Sequence, residues 1–417
     1  MPQTTQKRKL VIFDVEGVLL PKNRYLAFEL GRNLTLLQFT KLLLIGLLYE
    51  TRIIPLETAL KRIFKLFKGT NTEKLLNIFE TVPLLPHTET VFAKLREKGL
   101  KTALISSGLP QIVVEHLATR LKADYAYGLE LETNNNILTG NIRGDVIKKN
   151  GKALAMDKIL AQEDLTKEDC IVVADDRNNI PILYPEALKI GYNPDFRIIL
   201  KSNYVIKENL LEIVSILEKS RKRPRHSLSR SETIREAIHA SGFLIPIIAT
   251  YLGILQTAFL LSLITLTYTA SELARIDRKN IPLISSITLN AATYPERYEF
   301  TTAPIYFSLG ITLSLLIFPP PINYAAIAIL SLGDSAASIF GKFFGKTTIP
   351  FNKDKNLEGS IAGGALAFLG AAFFLPLPLA FIGAVFGMFV EALPLPVNDN
   401  LSTPLTTGAL LTLMICL

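Results

Sequence analysis

The chain has 417 residues, 49% of them hydrophobic and 20% charged, with a formal net charge of +8. That length implies two or three domains. Its two cysteines, Cys170 and Cys416, exclude a disulfide-stapled scaffold or a cysteine metal knuckle.

Composition shifts along the chain: residues 1–217 read as soluble protein, and those from about 241 onward are dominated by Leu, Ile, Ala, Phe and Gly. There is no internal repeat and no low-complexity tract. The opening MPQTTQKRKLVIFDVEG has no apolar core of signal-peptide length before its first acid, so the soluble part is expected in the reducing cytosol.

In chain order, KLVIFDV, KTALISSGL and CIVVADD read as buried strands, each ending in acid or hydroxyl and separated by helical stretches. This pattern predicts a parallel α/β sheet with its site at the strand carboxyl ends. Strand alternation turns Val15 away and leaves Asp14 and Glu16 on one side, a pair suited to a nucleophile and an acid. LISSG offers Ser106, NGKALAMDKIL offers Lys152 near a helix start, and VVADDRNN offers Asp175 and Asp176. Residues 20–85 are expected to form a helical cap. Within it, Leu42–Glu50 reads as a buried cap helix or a lipid-touching one; Lys61 and Arg62 read as contacts to an anionic substrate or as a solvated face.

These four ordered motifs resemble the haloacid dehalogenase superfamily, most closely its phosphoserine phosphatases, over about residues 8–217. LTGNIRGDV and IGYNPD belong to the likeness. The resemblance implies a Rossmann-like fold with a helical cap and Mg²⁺-dependent hydrolysis of a small phosphomonoester. It implies that Asp14 attacks phosphorus and binds Mg²⁺ with Asp175, that Asp176 and Asn179 complete the metal loop, that Glu16 is the general acid, and that Ser106 and Lys152 hold the phosphate. Three positions depart from it. Glu16 replaces the commoner Asp, Asn179 replaces a second Asp in the last motif, and Asn23 replaces a Glu that would meet the substrate amino group. The last change argues against phosphoserine itself.

Residues 218–235 form a basic linker with Lys219, Arg221, Lys222, Arg223, Arg225 and Arg230. A basic run ahead of a hydrophobic block is expected to face anionic lipid headgroups on the cytoplasmic side, not nucleic acid. From residue 236 to 417, seven apolar segments can be drawn, at about 241–253, 255–271, 302–318, 322–340, 360–375, 378–392 and 402–417. Several are shorter than the ~20 residues of a straight span. The intervening stretches with Arg275, Arg278, Lys279 and Arg297, and with Lys342, Lys346, Lys353 and Lys355, fall on the same side as the linker. The opposite turns, near Gln256, Pro319–Pro321 and Pro376–Pro378, carry no Lys or Arg, which is a positive-inside bias.

Between two of these segments lies GDSAASIFGKFFGKTTIPFNKDKNLEGS, Gly333–Ser360. Charges beside membrane helices are costly and imply a site. Asp334, Glu358 and Asp399 are candidates for holding a divalent cation, and Lys342, Lys346 and Lys355 for meeting phosphates. Gly341, Gly345 and Gly359 would permit close backbone approach.

This segment, with REAIHASGFLIP (Arg235, His239) and VEALPLPVNDNLSTPL (Glu391, Asp399, Asn400, Pro404), resembles the CTP-dependent lipid kinases over about residues 232–417. The resemblance implies an all-α polytopic membrane domain with its motif loops on the cytoplasmic face. It implies CTP as phosphoryl donor, Mg²⁺, and a polyprenol-type lipid alcohol as acceptor, with His239, Ser360 and Asn400 joining the nucleotide site. Asn356 departs from the usual Ser. Phosphatidate cytidylyltransferases carry a similar Asp…Gly-x-x-Gly-Lys…Glu-Gly pattern, but their later His-Gly-Gly block is absent here. Two further readings stay open: a phosphatase with a membrane anchor, and a soluble domain that only regulates or docks.

Overall fold

The computed structural model describes residues 9–21, 34–50, 53–80, 82–207, 209–218, 230–276, 279, 281–292, 297 and 300–416. Asn23, Arg278 and the linker residues Lys219, Arg221, Lys222, Arg223 and Arg225 lie outside them. The chain forms two compact units, Met1–Arg221 and Lys222–Leu417.

The N-terminal unit is built on a seven-stranded sheet in the order β4-β3-β2-β1-β5-β6-β7. Its strands are β1 (Leu10–Phe13), β2 (Lys101–Pro110), β3 (Tyr125–Asn134), β4 (Ile137–Arg143), β5 (Cys170–Ala174), β6 (Leu188–Tyr192) and β7 (Tyr204–Ile206). Every pairing is parallel except β3–β4. All four residues of β1 are completely buried, as a central strand covered on both faces requires. The β3–β4 hairpin was not anticipated. Asn135 and Asn136, both at left-handed φ (48° and 61°), form the kind of turn that suits a two-residue hairpin loop.

Three helices, α1 (Leu36–Glu50), α2 (Leu56–Lys65) and α3 (Thr72–Glu80), stand between β1 and β2 where the cap was expected. In α1, Leu42 and Ile45 are buried while Leu37 and Leu44 are exposed. In α2, Lys61 pairs with Glu57 at 2.7 Å on an exposed surface, so it belongs to a solvated face. Helices α4 (Thr88–Glu97), α5 (Gln111–Leu121), α6 (Gly151–Glu163), α7 (Phe196–Lys201) and α8 (Glu212–Leu217) complete the unit.

The C-terminal unit is helical apart from a two-stranded hairpin, β8 (Thr348–Ile349) and β9 (Asn352–Asn356). Its helices are α9 (Arg230–Ser241), α10 (Leu244–Leu252), α11 (Ile254–Ile276), α12 (Ile284–Ala291), α13 (Ala303–Ile317), α14 (Ile322–Ala328), α15 (Asp334–Phe344), α16 (Leu357–Ala372), α17 (Leu377–Ala392) and α18 (Asp399–Cys416). A π-helical turn, Ile329–Gly333, joins α14 to α15.

Each of the seven apolar segments falls on a helix. Among the described residues, Ile254–Arg275 and Ile322–Phe344 are long and apolar enough to cross a membrane. The others are shorter; α10 has nine residues, a rise of about 14 Å. The charges Glu272 and Arg275, expected in a loop, lie inside α11 as a buried ion pair of 2.7 Å. Helix α12 also occupies part of that expected loop.

Small residues let these helices approach closely. A Cβ on Gly363 would stand 2.7 Å from the Gly333 carbonyl, and one on Gly310 would stand 2.1 Å from the Asn400 carbonyl. Pro404 has no N–H to offer Asn400 four residues earlier, so that carbonyl is left to face α13.

Two candidate active sites, one in each unit

In the N-terminal unit the parallel register assembles the motifs. Phe13 pairs with Leu104 on one side and Val173 on the other, so Asp14, Ser106 and Asp175 emerge together at the carboxyl end of the sheet. Lys152 arrives from the start of α6. Its neighbour must be glycine, because a Cβ on Gly151 would sit 1.9 Å from the Asp145 carbonyl. The Lys152 ammonium lies 2.8 Å from Asp14 Oδ1, and both side chains are buried. Burial works against its charge, but Asp14, then Asp176 and Asp175, outweigh it and raise its pKa.

Asn179 closes the arrangement. Its Oδ1 accepts from Lys152 at 2.7 Å, and its Nδ2 donates to Asp14 Oδ2 and, at 3.1 Å, to Asp176 Oδ1. An aspartate there could not donate to two carboxylates. Asn179, expected at the metal, here turns its NH₂ to the acids and braces them.

Asp14, Asp175 and Asp176 each offer one oxygen, all within 4.8 Å of one another. Three hard carboxylate oxygens suit Mg²⁺. Glu16 receives the Ser106 hydroxyl at 3.4 Å. Burial, then the Asp14 charge, push its pKa up to about 8. Ser106 Oγ also accepts from the Gly108 and Leu109 amides at 3.2 and 2.9 Å.

Sequence reasoning missed two contributors. A Cβ on Gly108 would lie 2.4 Å from Glu16 Oε2, so the glycine of SSG makes room for that carboxylate. Tyr49 of α1 donates to Asn178 Oδ1 at 2.7 Å, and its carbonyl accepts from Arg177 at 3.1 Å, tying the cap to the loop that carries Asp176 and Asn179.

In the C-terminal unit, Asp334, Glu391 and Asp399 come together from α15, α17 and α18, with one oxygen of each within 4.8 Å of the others. Asp334 follows directly on the π turn, a distortion that often marks functional sites. His239 Nδ1 lies 3.1 Å from Asp334 Oδ2, and its ring stacks on Phe307 with centroids 4.4 Å apart. Burial lowers the His239 pKa, but Asp334 more than compensates and raises it. Glu236 is pushed up to about 7 by burial and then by Asp334. Lys355, from β9, bonds Glu391 Oε1 and lies 3.4 Å from Asp399 Oδ2. Burial disfavours its charge, but Glu391, Asp399 and Asp334 lift its pKa well above the ordinary value.

Several expected residues are placed elsewhere. Glu358 is not in the acidic cluster: its carboxylate accepts from the Thr347 amide at 3.1 Å and hydroxyl at 3.0 Å, and Glu391 stands in the cluster instead. Lys342 pairs with Glu232 of α9, Lys346 is exposed, Ser360 is half-buried on α16 and Asn400 is buried.

Gly341, Gly345 and Gly359 face a side chain, not open space. A Cβ on them would meet Asn356 at 2.9, 2.5 and 2.8 Å. Asn356 is the N-cap of α16; it accepts from the Gly359 amide at 2.8 Å and donates to the Gly341 carbonyl at 3.1 Å. Gly341 thus makes room for Asn356 in the α15–α16 packing, while Cβ atoms on Gly345 and Gly359 would also meet the Gly341 and Ala337 carbonyls, at 2.2 and 2.6 Å.

Residues 11–183 match the family model of haloacid dehalogenase-like hydrolases. The N-terminal unit is a haloacid dehalogenase-like hydrolase domain. A phosphoserine phosphatase from Archaeoglobus fulgidus is 28% identical over 218 residues, covering 51% of this chain and 61% of that one. The solved phospho-aspartyl intermediate analogue of phosphoserine phosphatase aligns with this haloacid dehalogenase-like domain at 26% identity and a TM-score of 0.45, covering 51% of this chain and 99% of that one. The probable phytol kinase 3, chloroplastic, of Glycine max is 35% identical over 127 residues, covering 26% of this chain and 40% of its own. The chain thus spans less than two thirds of the length of either of these two relatives, and the phytol kinase homology belongs to its C-terminal portion.

Proposed function

We propose that the chain is a membrane-bound, two-domain enzyme. The C-terminal unit transfers the γ-phosphoryl group of CTP to an isoprenoid or polyprenol-type alcohol. The haloacid dehalogenase-like unit hydrolyses a small phosphomonoester through an aspartyl-phosphate. The observation that carries the kinase reading is the Asp334–Glu391–Asp399 cluster, joined by Lys355 and followed on one helix by the Asn400 block. Phosphoryl transfer needs positioned charge neutralisation more than covalent chemistry, and carboxylates for Mg²⁺ beside an ammonium for phosphate supply it. The phytol kinase likeness supports the acceptor class. The two apolar helices of spanning length support the membrane, with the basic linker and motif loops cytoplasmic.

In the N-terminal unit, Asp14, Asp175 and Asp176 would hold Mg²⁺, which when bound offsets the charge of the phosphate. Asp14 Oδ attacks phosphorus, the ester P–O bond breaks, and Glu16 gives its proton to the departing oxygen. Lys152 and Ser106 hold the non-bridging oxygens. Water then cleaves the acyl phosphate, with Glu16 taking a proton back.

Membranes holding the full chain, incubated with γ-labelled CTP and polyprenol, geranylgeraniol or diradylglycerol, test the first activity. Label in a lipid phosphate supports it. Label arriving from the α-position instead means cytidylyl transfer. If neither appears, the reading of an anchored phosphatase is left standing.

A further inference from the structure

Threonine hydroxyls in these helices mostly satisfy themselves by bonding back to the carbonyl four residues earlier, as Thr406 and Thr412 do on α18 at 2.8 and 2.7 Å. Thr403 and Thr407, on the same helix, do not. Among the described residues, Thr403 Oγ1, Thr407 Oγ1, Asn400 Oδ1 and Glu391 Oε2 are buried oxygens with no hydrogen-bond partner. All four residues are at most 5% exposed. Buried polar atoms are normally paired, so four on two neighbouring helices call for an occupant.

They lie on two helices that meet, since Glu391 of α17 and Asp399 of α18 bring carboxylate oxygens within 4.8 Å. Asn400, Thr403 and Thr407 are spaced to lie on one face of α18. That face meets α17 at Gly387, where a Cβ would stand 2.6 Å from Ile329 Cγ2, 3.0 Å from Thr407 Oγ1 and 3.8 Å from Thr403 Cγ2. Glu391 is one turn further along α17. The seam begins at the Asp334–Glu391–Asp399 cluster and runs inward. Beyond Thr407 it turns apolar, with Leu411 and Ile329 against Gly383.

We propose that this α17–α18 seam binds the hydroxyl of the acceptor alcohol. The inference rests on the kinase reading and names the acceptor subsite within it. The chemistry selects the ligand. A carboxylate and an amide oxygen accept, two threonine hydroxyls donate or accept, and an alcohol does both. An anion would be repelled by Glu391, and the ammonium next to that residue is already supplied by Lys355.

The test uses the purified full chain in detergent. Thermal unfolding is followed with geranylgeraniol and with the matching hydrocarbon that lacks the hydroxyl. The alcohol alone should raise the melting temperature of the wild type, and Thr403→Val and Thr407→Val should each lose most of that rise. In the transfer assay Thr403→Val should raise KM for the alcohol about five- to tenfold, the loss of one hydrogen bond, and leave KM for CTP unchanged. Equal protection of wild type and valine variants puts the hydroxyl elsewhere and overturns the proposal. So does no shift by either ligand with valine variants at least as stable as wild type, which means the seam holds only water. A shift produced by Na⁺ or K⁺ alone overturns it in favour of a cation. Because melting needs no CTP, a hydroxyl-dependent shift without label transfer rejects the kinase reading and leaves the seam standing.

Discussion

Asn356 Nδ2 donates to the Gly341 carbonyl at 3.1 Å, joining the hairpin that precedes α16 to the body of α15. The same side chain caps α16 through Gly359. Asn356→Ala should therefore lower stability by about 1–2 kcal/mol, the range of a lost N-cap. Asn356→Ser should cost less, because a serine hydroxyl still caps. Gly345→Ala should destabilise as well, since its methyl would collide with the Gly341 carbonyl and with Asn356. Melting of the full chain in detergent checks all three. A change confined to KM for CTP would return these residues to the nucleotide.

Asp14→Asn should reduce hydrolysis of a generic phosphomonoester by at least about 10³-fold, as loss of a nucleophile does. The assay is steady-state release of inorganic phosphate by the full chain with Mg²⁺. An unchanged rate would remove Asp14 as nucleophile. Chelation of Mg²⁺ should abolish the wild-type activity in the same assay.

Gly108→Ala should slow that hydrolysis with little change in melting temperature. The added methyl meets the far end of the Glu16 side chain, 2.4 Å from Oε2, and that end can move. The expected signature is a lower kcat with KM retained, because Glu16 acts on the leaving oxygen. A folding defect without a kcat effect would show that the glycine serves only the turn.

Glu391→Gln or Asp399→Asn should cut lipid phosphorylation by about 100-fold, on the order of weakening a cation site. Glu358→Gln should leave it within a few-fold, because Glu358 braces Thr347. The comparison is best made by label transfer across a Mg²⁺ titration. A larger loss for Glu358→Gln than for Glu391→Gln would reverse the assignment of the cluster.

How much of this was legible in the sequence differs between the two units. The β1, β2 and β5 runs announced the sheet because their apolar stretches end in Asp14, Ser106 and Asp175, and parallel register does the rest. The β3–β4 hairpin was missed because its strands mix apolar with polar residues and carry no continuous buried run. Asp334 and Asp399 were legible as charges beside apolar helices. Glu391 was quoted within its motif but not assigned to the cation, because only the antiparallel return of α17 and α18 brings it to Asp334. The glycines were ambiguous for a physical reason: a close approach looks the same in sequence whether it admits a phosphate or the side chain of Asn356. Tyr49 carried no signal, because its partners Arg177 and Asn178 are more than a hundred residues away.

Lys355 gives the acidic cluster a counter-ion carried by the chain itself. Three carboxylates gathered among apolar helices would repel one another, and a chain relying on captured metal would have to find it before folding. With its ammonium against Glu391 and Asp399, Lys355 offsets part of that repulsion from within the fold. The electrostatic cost is deferred to the moment a ligand arrives. A polyphosphate carries enough negative charge to receive the displaced ammonium, so arrival of the nucleotide would complete the exchange that assembly left pending.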